Sequence, residues 1–407
     1  MTSGKTTGKG ASIMSNDVVI VSGARTPQGR ITGQLTSLSA VQLGSIALRA
    51  AIDRSRIPAA AVDAVIFGQV LQAGAGQNPA RQTAIAAGIG WNTPATTLNK
   101  VCLSGLAAVI DAARLIRAGE AEVVIAGGQE SMTNAPHLLP GSRIGWSYGT
   151  ISALDSAAHD GLTDAFDHDS MGASTERFNT KLGLTRAEQD EVAAWSHQRA
   201  AAANAAGLFE AEIAPVTVTR GKSDPVVLRA DEGVRSDSTP ETLARLRPAF
   251  APEGTITAGN SSPLSDGAAA LVLTTRDYAE RNGLDWLAIV GAAGQVAGPD
   301  NSLHSQPANA IAAAVSRAGW QVSDLDFVEI NEAFAAVSLH SARQLGLSLE
   351  VVNIHGGAIA IGHPIGASGA RLAVHAAHEL KRRGAGRAAV ALCGGGGQGE
   401  ALLLSRP

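Results

Sequence analysis

Asn99-Lys100-Val101-Cys102-Leu103-Ser104-Gly105-Leu106 is the stretch on which the reading of this chain turns. A β-prone run at residues 94–101 leads into it. An Ala/Leu/Ile pattern of helical period follows over residues 103–117 and stops at Gly119. Cys102 therefore stands where a strand becomes a helix. First-turn N–H groups and the positive end of the helix dipole are expected beside its thiol. Such a setting lowers a thiol pKa from about 8.5 towards neutrality and makes a nucleophile. The competing reading is a buried core cysteine, the commoner fate of a lone one.

A second stretch repeats the first. Cys102-Leu103-Ser104-Gly105-Leu106 is followed by a helix, Arg117-Ala118-Gly119, a strand and Gly127-Gly128. Gly366-Ala367-Ser368-Gly369-Ala370 is followed by a helix, Arg383-Gly384-Ala385-Gly386, a strand and Gly394-Gly395. Gly366 thus takes the place of Cys102. Two halves related by a pseudo-twofold bring these loops face to face, so whatever flanks Gly366 lies near Cys102. What flanks it is a glycine-rich loop that carries Gly362-His363-Pro364. The alternative for His363 is a hydrogen bond within its own loop.

The second cysteine, Cys393, ends a strand over residues 388–392 and opens Gly394-Gly395-Gly396-Gly397. Such a run could cradle phosphate, but it lacks the G-x-G-x-x-G spacing and no helical pattern follows. Backbone N–H groups facing a reacting atom fit it better. Asn331-Glu332-Ala333-Phe334 follows a strand over residues 327–330. Asn331 reads as a helix N-cap, as an amide aimed into the site, or as both.

The rest of the chain bounds these readings. A length of 407 residues implies at least two cores. With 46 glycines and only 3% aromatics, the composition suits closely approaching helices in an α/β protein. A net charge of −4 with no basic block argues against nucleic acid or a membrane surface as partner. Two cysteines do not make a disulfide framework and fit a reducing compartment, so a cytoplasmic location is expected. No apolar run is long enough to span a bilayer. Residues 1–16 hold neither a secretory signal nor enough apolar residues to order, and read as a disordered tail. Alternating strand and helix patterns then imply a largely parallel sheet covered on both faces. Residues 17–130 and 263–285 form the first half, and 286–407 the second. Residues 131–262 read as an insertion covering the site, with one clear helix over 185–206 that opens on the capping box Thr185-Arg186-Ala187-Glu188.

Taken together, the motifs at residues 99–106, 331–334 and 356–369, and Cys393 with its glycines, resemble those of the thiolases, within them the biosynthetic acetyl-CoA acetyltransferases. The resemblance runs from Val18 to the C-terminus. It implies the thiolase fold: duplicated βαβαβαββ halves, five α-β-α-β-α layers and an inserted loop domain. It implies that Cys102 carries the acyl group of one acyl-CoA and that Cys393 is general base and acid for the second. It assigns His363, with a water held by Asn331, to the enolate oxygen, and the N–H groups of Cys102 and Gly395 to the oxyanion of the acylated Cys102. Leu162, Met171, Arg235, Leu243, Phe250, Ala258 and Ser262 are implied for CoA binding, with Ala333 and Phe334 walling the acyl end. No metal or redox cofactor is implied, CoA thioesters being substrates. The implied assembly is a dimer at least, with a homotetramer built through residues 134–150 as the favoured form.

Three positions depart from the family pattern. Ser170 stands where biosynthetic relatives often carry His, His355 where many carry Asn, and residues 298–308 lack Gly-Pro-Ile-Pro. The expected activity is condensation of two acetyl-CoA to acetoacetyl-CoA and CoA, and its reverse. The rivals are a degradative 3-ketoacyl-CoA thiolase with a longer acyl pocket, a decarboxylating ketoacyl synthase, which does not need Cys393 as a base, and a non-catalytic acyl-CoA-binding protein.

Overall fold

The computed structural model describes residues 17–219 and 224–407. The expected disordered tail at 1–16 lies outside the described residues.

The two halves repeat one strand order. The first runs Val18–Arg25, Ser265–Thr275, Val123–Ser131, Ala64–Gly68, Ala95–Leu98 across the sheet. The second runs Ala288–Ala297, Gln398–Arg406, Gly386–Gly394, Phe327–Ile330, and Val352 bridges to Val328 where a further strand would stand. Val18–Ile20 pairs antiparallel with Ala288–Val290 and joins the halves into one sheet, which with Gly29–Arg30 on Ser265–Asp266 has ten strands among the described residues. That sheet is mixed, not largely parallel. Ala64–Gly68 is parallel to both neighbours and Phe327–Ile330 to Gly386–Gly394. The strands that close each half return antiparallel.

Alternation along the strands builds the layers. Val18 and Ile20 point to an inner core, Val19 and Val21 to an outer one. Val390, Leu392, Leu402 and Leu404 share the inner core, while Ala389, Ala391, Ala401 and Leu403 face a second outer core. Between the two inner faces lie the helices Ser104–Arg117 and Ser368–Arg383. Ala40–Ser55 and Pro79–Ala86 cover one outside, Gln306–Ala318 and Ala335–Leu345 the other. The order is helix, sheet, helix, sheet, helix.

The two central helices touch backbone to backbone at their starts. A Cβ added at Gly105 would lie 2.8 Å from the Ala370 nitrogen, and one at Gly369 2.4 Å from the Leu106 nitrogen. Both glycines are therefore required by the close approach. It presses the Cys102 loop against the loop that carries His363. Leu106 and Leu372, on these two helices, are fully buried in the inner core. Truncating such a leucine to alanine costs about 2–5 kcal/mol.

Between Ser131 and Ser265 the chain forms two small hairpin sheets and the helices Met171–Lys181 and Arg186–Ala205. Thr185 and Glu188 make the capping box read from the sequence. This region is fastened by buried charge: Arg25 binds Glu212 at 2.7 Å and Asp231 at 2.7 Å. Glu332 adds a bond from the Ser196 hydroxyl at 2.7 Å.

Candidate active site

Cys102 sits two residues before the first helical residue, Ser104, at a turn with local strain. Val101 has φ +50, an outlier for a β-branched residue that costs about 1–3 kcal/mol. Neighbours hold it there. Val101 N–H donates to Asn99 Oδ1 at 3.0 Å and Lys100 N–H to Ser104 Oγ at 2.8 Å. The Ser104 hydroxyl donates to the Val101 carbonyl at 2.6 Å. The result aims a half-buried thiol into a cavity. The backbone N–H groups of Cys102 and Gly395 favour its thiolate, yet burial, with a lesser push from Glu130, raises the thiol to about 12. The expected fall towards neutrality is thus reversed: desolvation outweighs the N–H groups. At pH 7 the resting Cys102 is therefore a thiol.

His363 borders the same cavity. It follows Gly362, whose φ of +118 only glycine adopts freely. Burial, then Arg371, holds the imidazole at about 4, neutral near pH 7. Its Nδ1 lies 2.6 Å from Ser368 Oγ, and that hydroxyl donates to the Pro364 carbonyl at 2.9 Å. A hydroxyl has one proton to give, so it accepts from Nδ1–H and leaves Nε2 bare. The Asn331 amide nitrogen stands 3.5 and 3.4 Å from the two ring nitrogens, too far from either for a directed bond. Among the described residues, Asn331 Oδ1 is buried without a partner. Asn331 is not an N-cap: the helix begins at Ala335, after an extended Phe334 that bridges to Ser261.

Cys393 lies in the strand Gly386–Gly394 and is 1% exposed. Burial, then Cys102, pushes its thiol well above the ordinary range. The four glycines turn the chain into Gln398–Arg406, so they close a hairpin and do not open a helix that could cradle phosphate. A Cβ at Gly397 would meet the Asp300 carbonyl at 1.8 Å.

Cys102, Cys393, His363 and Gly395 line one cavity of about 570 Å³. Leu162, Met171, Phe250, Ala258, Ser262, Ala333 and Phe334 line it too. Asn331 is fully buried behind His363. Two expected CoA residues lie elsewhere. Leu243 is buried in the core under Gly259, and Arg235 borders a small neighbouring cleft with Arg30 and His197. Leu303 lines the cavity from residues 298–308, the segment that lacks Gly-Pro-Ile-Pro. Ser368 was legible as the repeat partner of Ser104; its contact with His363 was not.

The thiolase N-terminal domain matches residues 18–277 and the thiolase C-terminal domain residues 284–406. The chain belongs to the thiolase family. A protein of Mycolicibacterium smegmatis named "Probable acetyl-CoA acetyltransferase" is 57% identical to it over 95% of this chain and 100% of its own length. Its namesake in Mycobacterium tuberculosis is 56% identical over 95% of this chain and 98% of its own. The acetyl-CoA acetyltransferase of Chromobacterium violaceum is 48% identical over 96% and 100%. This thiolase is an acyltransferase, which removes the non-catalytic rival. Its departures also find places. Ser170 caps the helix Met171–Lys181 and lines the cavity. His355 Nδ1 meets His375 Nε2 at 3.1 Å, outside the cavity. Among the described residues no helix is long and apolar enough to cross a membrane.

Proposed function

We propose that this thiolase catalyses the reversible condensation of two acetyl-CoA to acetoacetyl-CoA and CoA. The observation that carries the reading is one apolar cavity bordered by two thiols and a neutral imidazole. Cys102 sulfur attacks the thioester carbonyl as its proton passes to His363 Nε2. The N–H groups of Cys102 and Gly395 receive the oxyanion. The departing CoA takes the Cys393 proton. A thiol of raised pKa leaves behind a strong base, suited to a weak carbon acid. Cys393 thiolate then removes a methyl proton from the second acetyl-CoA. His363, now carrying a proton on Nε2, and a water held by Asn331 stabilise the enolate oxygen. The carbanion attacks acetyl-Cys102, and His363 returns its proton to the released sulfur.

Protein groups donate or accept every proton and stabilise both oxyanions, so the proposed reaction needs no metal or redox cofactor. Leu162, Met171, Phe250, Ala258 and Ser262 would hold the pantetheine arm, with Ala333 and Phe334 at the acyl end. Arg235 would face the polar end of CoA from its cleft, and Leu243 would support the wall from behind. The free thiols suit a reducing compartment, the cytoplasm. We also assign a homotetramer to residues 134–150, where Ile144 is 93% and Trp146 47% exposed.

One observation favours a second reading. Ser170 is small and lines the cavity, which leaves room for a longer acyl chain. Thiolysis rates across 3-ketoacyl-CoA chain lengths decide. A profile peaking at acetoacetyl-CoA supports the proposal, one peaking at longer chains supports a degradative thiolase, and no thiolysis at any length refutes both.

A further inference from the structure

The carboxylate of Glu130 has no role in the chemistry above, yet it is fully buried beside it. Its Oε2 accepts Val70 N–H at 3.0 Å and Gly366 N–H at 2.9 Å, and its Oε1 accepts Leu71 N–H at 3.1 Å. Among the described residues no cationic side chain bonds to it. A buried carboxylate held only by backbone donors is uncommon. Val70, Leu71 and Ile365 belong to the apolar cluster on which Val101, Cys102 and Leu162 pack. Gly366 follows directly in the His363 loop. A Cβ there would lie 2.9 Å from Glu130 Oε2 and 2.8 Å from the Gln69 Cα, so the loop comes this close only through glycine.

We propose that Glu130 is a positioning residue for acyl transfer: it ties the Val70–Leu71 wall beside Cys102 to Gly366 in the His363 loop, and sets a negative charge against the thiol. Two loops from different halves must keep their spacing for the Cys102 proton to reach His363. One carboxylate with three bonds fixes both. Its charge disfavours a free Cys102 thiolate, so the proton leaves as the sulfur–carbon bond forms. The titratable groups facing it are Cys102 and Asp266; burial raises Glu130 to about 7 against the pull of its three N–H donors, and Asp266 adds to the rise.

The inference rests on the thiolase reading for its kinetic half and on geometry for the rest. Glu130→Gln removes the charge and turns an NH₂ towards at least one N–H donor. Glu130→Asp keeps the charge and shortens the reach. Two rates are read for each: thiolysis of acetoacetyl-CoA, and alkylation of Cys102 by iodoacetamide at pH 7.5, located by peptide mass. Losing a buried hydrogen bond is expected to lower kcat about tenfold in both variants, with KM little changed. Alkylation should rise about threefold or more in Glu130→Gln and stay native in Glu130→Asp. Parallel falls of both rates in Glu130→Gln, faster alkylation in Glu130→Asp, or native turnover in either variant would overturn the proposal. A native protein without thiolysis would sink the condensation reading alone, since alkylation still reads the Glu130 charge.

Discussion

Removing the Ser368 hydroxyl isolates the proton logic of the site. Ser368 is fully buried, lies outside the cavity lining, and holds His363 Nδ1 at 2.6 Å. The carbonyl it donates to, on Pro364, also accepts Ala367 and Ser368 N–H at 2.9 and 3.0 Å, so it stays satisfied in Ser368→Ala. The cost therefore falls on His363. A buried donor left unmade costs about 1–3 kcal/mol, and about 1.4 kcal/mol is a factor of ten in rate. If the imidazole escapes by moving its proton to Nε2, the base proposed for Cys102 is lost. Ser368→Ala should thus lower kcat for thiolysis about 5- to 150-fold with KM within twofold, because no cavity contact changes. Steady-state kinetics with acetoacetyl-CoA and CoA measure both constants. A kcat within twofold of native would refute the tautomer argument, and an equal loss in KM would mean that the cavity itself had collapsed.

Other outcomes follow from the same features. Both thiols are raised in the folded chain, so above about pH 8.5 the unfolded chain gives up protons that the native one keeps. Stability should fall as pH rises from 8 to 10, and urea titrations of the Cys102→Ser, Cys393→Ala double variant should show a shallower fall; an unchanged slope counts against the buried thiols. Light scattering at micromolar concentration should give a tetramer mass, lowered by Trp146→Asp with Ile144→Asp, and a native monomer would refute the assembly. Intact-mass analysis with acetyl-CoA should show an acetyl adduct on the native chain and none on Cys102→Ser.

Much of the layering was legible because strands alternate. Val18 to Val21 divide between inner and outer cores by parity alone, and the Gly105 and Gly369 positions mark where two helices must touch. The mixed direction of the sheet was not legible, since hydrophobic period carries no strand sense. Asn331 looked like a cap because an Asn after a strand often is; here the chain bends at Ala333 and is extended at Phe334, which bridges Ser261 from far along the sequence before the helix begins. The sign of the Cys102 shift was misread for a related reason. Helix-end effects are local and visible in sequence, whereas desolvation depends on everything that folds over the thiol. Glu130 makes a contact with Gly366 that only the joined halves create, and Ser368 meets His363 only once their shared loop has folded.

The division of labour between the two cysteines is the centre of this account. Its most direct test is deuterium uptake into the methyl group of acetyl-CoA by Cys393→Ala, measured alongside the acetyl adduct on Cys102. The account predicts that the adduct still forms while methyl exchange and condensation are lost. Exchange at the native rate in Cys393→Ala would contradict it and move the base to another residue, with His363 first in line.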